Sequence, residues 1–151
     1  MTELIKFLLE EEPDTHGRIL SNILAFTDIE LEEDHNFIQW LFPLETMSQS
    51  SWESPILTVE EIRIIRESRV IQQNIKQALE RMTSFYLNND YWLSFHNHNH
   101  LRITRILIAT RSLLGQSEAE KFFDTIMERI SGAEVIVSSE NIAYWNEAIG
   151  R

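Results

Sequence analysis

The sequence contains no cysteine, only three prolines and four glycines among 151 residues. Without cysteine there can be no disulfide, no zinc–thiolate site and no thiol nucleophile. No apolar run approaches the ~20 residues that span a bilayer, so no transmembrane segment is expected. The start, MTELIKFLLEEE, has one lysine, a short apolar run and then three glutamates, which is not the order of a secretory signal. Enzyme motifs are also missing: there is no G-x-S-x-G, no phosphate-binding P-loop, no G-x-G-x-x-G and no H-E-x-x-H. Together these absences predict a soluble, cytoplasmic protein that is not an enzyme and carries no cofactor.

Positive charge is scarce at the front. Residues 1–62 hold fourteen acids against Lys6 and Arg18 alone, whereas residues 63–111 hold eight bases against Glu67, Glu80 and Asp90. The acidic front and basic middle can attract each other within one fold, or the difference can select a charged partner. A net charge of −11 argues against general nucleic-acid binding, which needs a basic surface.

What is present is mostly helical periodicity. The size suits one domain over residues 1–151 with a real core. Short amphipathic helices are expected over 3–11 and 16–26. Thr27 with Glu30 forms a capping-box pattern, opening a segment that runs to Phe42 and is stopped by Pro43. Residues 44–57 read as a loop with MSQSSWESP at its centre. Thr58 with Glu61 is a second capping pattern, opening the longest helix, about 59–88. Its apolar stripe is Ile64, Ile71, Ile75, Ala78, Met82 and Phe85. A helix over 99–114 is expected to be capped by Asn99 and closed by Gly115. Ser117 with Glu120 suggests a third box, for a helix of 118–131 ending at Gly132. AEVIV, residues 133–137, is the one strand-like run, and Ser139 could cap a last helix of 140–149. The fold class is therefore all-α, with about six or seven helices.

Two segments are too specific for generic helix composition. The first is DHNFIQWLFP, Asp34 to Pro43. As a helix it places His35 and Gln39 four apart beside Asn36, in a narrow polar stripe on an otherwise apolar surface. Asn36, Gln39 and the indole N–H of Trp40 need partners if buried. The second is HNHLRITRIL, His98 to Leu107, followed by SLLG. Arg102 and Arg105 sit there one turn apart on an apolar helix. A buried guanidinium must pair, because it does not lose its proton. Asp34 and Glu30 are natural candidates for it. Alternatively, one arginine faces a cleft and grips a carboxylate or phosphate.

These two segments resemble the signatures of the opioid growth factor receptor conserved domain, an N-terminal module of animal and microbial proteins. The resemblance spans roughly Leu20 to Trp145, and this chain resembles a short, stand-alone member such as a microbe could carry. Animal members are described as receptors for an enkephalin pentapeptide that act with the nucleus to restrain growth. Long, often repetitive regions follow the domain in them, and functions that rest on those regions are not expected here. The family carries no assigned catalytic residues.

Residues and resemblance together suggest a binding domain. Its expected site lies between the two signature segments, with His35, Asn36, Gln39, Trp40, His98, Arg102 and Arg105 as candidate ligand-binding residues and a short peptide or small anion as ligand. Apolar area from aromatics with orientation from arginine suits such a site. The rival is a structural or oligomerisation module, presenting Arg63, Arg66 and Arg69 to a protein partner or a second copy. A third reading is a metal-dependent enzyme built on the alternating His96, His98 and His100, whose rings would share one side of an extended segment and could bind a metal. No further ligand stands at metal-site spacing, so no metal is assigned.

Overall fold

A computed structural model of the chain describes residues 1–46 and 54–151. Among them are nine α-helices and no strand, only an isolated parallel bridge between Leu44 and Ile56. The expected all-α class holds. The helix count is higher than expected because two long segments each contain a break. The chain resolves into two compact units, Met1–Arg81 and Met82–Arg151.

The first unit begins with α1 (Glu3–Leu8). Thr2 caps it by accepting from the Ile5 amide, and Leu4, Ile5, Phe7 and Leu8 are buried. The helix ends where Glu10 turns to a φ of 63°, short of Pro13. Then come α2 (Leu20–Leu24) and α3 (Asp28–Glu33). α2 starts later than residue 16, because Asp14 Oδ1 accepts the amides of His16 and Arg18 and holds residues 14–18 as a turn. α3 opens with the capping box expected from Thr27 and Glu30.

The expected continuous segment from Thr27 to Phe42 is interrupted. Asp34 is extended and Asn36 has a φ of 69°, so the chain turns a corner before the single turn of α4 (Ile38–Leu41). The turn of α4 is entirely buried, and Trp40 meets Phe7 of α1 edge to face, with ring centres 5.4 Å apart. The expected loop at 44–57 includes residues 47–53, which lie outside the described residues. Leu44 and Leu57, on either side, are joined by a backbone hydrogen bond of 2.8 Å.

The expected 59–88 helix divides into α5 (Val59–Glu67) and α6 (Arg69–Asn88). Ser68 adopts extended backbone, and its hydroxyl accepts from the Ile71 amide at 3.2 Å. The serine thus competes with the helix for that donor and starts a new one. The break shifts the phase of burial. Ile71, Ile75 and Ala78 lie inside as expected, but α5 buries Ile62 and Ile65 in place of Ile64. The capping box of Thr58 and Glu61 is present.

The second unit takes up the end of α6 and continues with α7 (His98–Leu113), α8 (Gln116–Ser131) and α9 (Ser139–Ala148). α7 packs against both α8 and α9. Buried aromatics join the parts: Tyr86 lies 5.4 Å from Trp92 and 6.3 Å from Phe122, centre to centre. Gly115 closes α7 as expected, at a φ of 114° that side chains avoid. Three capping assignments change. Asn97 rather than Asn99 caps α7, Ser138 rather than Ser139 caps α9, and α8 begins at Gln116 with no side-chain cap from Ser117. AEVIV forms no strand. Val135 and Ile136 are exposed, and only Val137 is buried. No helix among the described residues is long and apolar enough to cross a membrane.

Candidate functional site

The seven candidate residues divide between the units. His35, Asn36, Gln39 and Trp40 belong to the first, and His98, Arg102 and Arg105 to the second.

In the first unit the corner at Asp34–Asn36 is the notable feature. Left-handed backbone at a residue other than glycine is uncommon, and asparagine is among the types that tolerate it best. The surroundings hold it there. Asp34 Oδ1 accepts the His35 amide at 2.9 Å. Arg18 Nη1 donates to the same oxygen at 3.3 Å and to the His35 carbonyl at 2.8 Å. Arg18 Nε donates to Asp14 Oδ2 at 2.8 Å. The Asp14 side chain is 0% exposed and that of Arg18 is 13% exposed. Removed from water, such a charge pair depends on its partners. Arg18 Nη2 is buried and has no hydrogen-bond partner among the described residues.

The corner decides which signature residues reach solvent. The His35 side chain is exposed and Asn36 is half-buried, while Gln39 and Trp40 are buried in α4. His35 and Gln39 therefore do not form the polar stripe expected of one helix, because the helix starts only at Ile38.

In the second unit, His98 is exposed at the start of α7, and its Nε2 lies 3.4 Å from Asn99 Nδ2. Arg102 is buried, at 8% exposure. Arg105 is half-buried, and burial pushes its guanidinium down to about 10, still protonated at neutral pH. The alternating histidines do not line up. His98 and His100 belong to the first turn of α7 and His96 precedes it, so the extended geometry is lost. Among the described residues no three His, Cys, Asp or Glu side chains gather as metal ligands would.

Sequence reasoning missed the most connected group of the second block, which is His100. Its Nε2 lies 2.8 Å from the Trp92 carbonyl, its Nδ1 3.3 Å from Asn141 Nδ2, and its own carbonyl accepts the Trp145 indole N–H at 3.1 Å. Burial holds its pKa below the ordinary histidine value; the hydrogen bond to the Trp92 carbonyl opposes this by favouring the charged ring, and the charges of His96 and His98 add to the lowering. Asn99 is also fully buried, its Oδ1 accepting from the Tyr86 hydroxyl at 3.3 Å. In the first unit the missed residues are Asp14 and Arg18. Their spacing of four, around Gly17, was the available signal.

The arrangement defines an all-helical domain with a pinned polar corner in its first unit. Residues 18–90 match the family model of the opioid growth factor receptor conserved region, which bears out the resemblance read from the first signature. The match begins at Arg18, includes the whole corner, and stops before the second block at 98–107. Among curated proteins, the opioid growth factor receptor of Homo sapiens is 36% identical over 95 residues, covering 51% of this chain and 14% of that protein. The receptor of Rattus norvegicus is 35% identical over 95 residues, covering 51% and 16%. The Mus musculus receptor is 35% identical over 95 residues, covering 51% and 15%. The match thus spans about one seventh of these relatives' length. No solved structure matches the chain.

Proposed function

We propose that this chain is a binding module of the opioid growth factor receptor type, taking a short peptide or a small anion, and that it works by binding rather than catalysis. The observation that carries this reading is the corner at Asp34–Asn36. It lies inside the matched region and presents the exposed His35 from a strained turn that Arg18 holds in place. Strained backbone of this kind tends to accompany recognition sites. The names of the relatives, receptors for a growth factor, point to a protein–ligand relationship. The non-catalytic reading has its own support. Asp34 meets His35 through the backbone amide, not the ring, so the carboxylate does not orient the imidazole as it would in a catalytic pair. The absence of cysteine suits an intracellular setting.

The test is the thermal stability of the purified chain against short peptides, opioid peptides among them, together with anionic metabolites and divalent metals. A ligand that binds only the folded state adds about 2.7 kcal/mol at a hundredfold excess over its Kd. A hit with a peptide or anion that is lost in His35→Ala supports the reading. A hit that survives His35→Ala removes the corner from the site. No hit across the panel favours a protein partner instead.

A further inference from the structure

The environment of His100 is unusual for a titratable group. The residue is 1% exposed, and both ring nitrogens and the backbone carbonyl are engaged. The Trp92 carbonyl can only accept, so Nε2 carries the hydrogen. Nδ1 is then the lone-pair nitrogen, and it faces the Asn141 amide nitrogen, a donor, at 3.3 Å. With the Asn141 amide in this orientation, the network matches the neutral ring that carries its hydrogen on Nε2.

The three partners belong to different parts of the second unit. Trp92 lies before α7, while Asn141 and Trp145 lie on α9. The Trp145 ring stands edge to face against the imidazole, with centres 5.6 Å apart. The connection leading into α9 is mostly exposed between Gly132 and Ile136. Besides the contacts near His100, the Ser138 amide donates to the Phe95 carbonyl at 3.1 Å, and Val137 and Ser138 are buried.

We propose that His100 is a pH-responsive latch: its neutral ring docks the start of α9 onto α7, and its protonation releases that end of the helix. A proton on Nδ1 would face the Asn141 donor. Turning the amide over could restore a hydrogen bond, but a charge would remain on a ring closed off from water. Among the described residues no carboxylate is recorded against the ring. The preceding loop brings His96 and α7 brings His98, both of which oppose a positive charge here. α9 turns Asn141 and Trp145 toward the ring. Its acid Glu140 is exposed and receives the Tyr144 hydroxyl at 3.0 Å, and Glu147 is exposed. α8, also packed on α7, buries Ala119, Phe122, Phe123 and Ile126, none of which titrates.

The direction of the linkage follows from the lowered pKa. A histidine held neutral in the closed state contributes its docking fully above its free value, about 6.5. That contribution is lost as pH falls below this value toward the depressed one. In that window the opening equilibrium rises by up to about tenfold per pH unit.

Hydrogen exchange of the whole chain between pH 7.5 and pH 5, corrected for intrinsic rates, tests the proposal. The expected result is a loss of protection confined to α9 amides below about pH 6.5, absent in His100→Gln, which keeps an N–H donor but does not titrate. Flat α9 protection in the wild type overturns the latch, as does an unchanged acid transition in His100→Gln. If that variant does not fold, NMR titration of the wild-type His100 ring decides. A ring midpoint coinciding with the α9 transition supports the latch, and separate midpoints overturn it.

Discussion

Arg18 Nη1 donates to the main-chain oxygen of His35 at 2.8 Å, fastening the corner between α3 and α4 to the turn that precedes α2. The same guanidinium answers the fully buried carboxylate of Asp14. Replacing Arg18 by alanine removes both supports and leaves Asp14 closed off from water beside two backbone amides only. Loss of one partner from a buried pair costs about 3 kcal/mol. Urea denaturation of Arg18→Ala should show a loss of that order, and a loss under about 1 kcal/mol, the range of exposed pairs, would place the pair among surface contacts.

The second prediction separates stability from binding. His35 is exposed, so His35→Ala should change stability by no more than about 0.5 kcal/mol while weakening any ligand that uses the corner. Circular dichroism and a melting curve beside the binding titration distinguish the outcomes.

Three glycines should respond differently to alanine. Gly115 has a φ of 114° and a ψ of 166°, with nothing within 4 Å of an added Cβ. Its cost is backbone strain alone, about 2 kcal/mol. Gly150, at a φ of 82°, would also place a Cβ 2.8 Å from Arg111 Nη2. That guanidinium is the end of a flexible side chain and can yield, so the cost is again mainly strain, about 1 kcal/mol. Gly132 has ordinary helical backbone and no atom nearer than 3.8 Å, so Gly132→Ala should be neutral or stabilising by up to about 1 kcal/mol. Thermal denaturation of the three variants checks the ranking, and a destabilised Gly132→Ala would contradict it.

Thr2 and Glu61 couple the starts of two helices. Thr2 Oγ1 donates to Glu61 Oε2 at 2.6 Å and accepts from the Ile5 amide, while Glu61 Oε1 accepts from the Thr58 amide at 2.9 Å. Thr2→Val loses the cap and the donor together, at about 1–2 kcal/mol. Thr27→Val, whose capping box is exposed, should lose about 1 kcal/mol. In a double-mutant cycle, Thr2→Val and Glu61→Gln should fall short of additivity, since they share one hydrogen bond. Additive losses would mean that the two helix starts are independent.

Local chemistry made much of this protein legible from its sequence alone. Apolar periodicity identified an all-α chain, and the capping boxes of Thr27 and Thr58 located two helix starts, because such signals act within four residues. The DHNFIQWLFP segment was specific enough to indicate the family whose model matches residues 18–90. The tertiary structure decided where helices break and which polar groups turn inward. Asn36 looks helical by pattern, yet Arg18, sixteen residues before Asp34, holds the corner through contacts that no periodicity records. Ser68 likewise splits a continuous apolar stripe by capturing one amide. His100 reads as one of three alternating histidines, and its role arises only because Trp92 and Asn141, forty-nine residues apart in the chain, meet its two nitrogens. Burial and long-range hydrogen bonding are set by which segments pack together, and that information is spread across the chain rather than held in any local window.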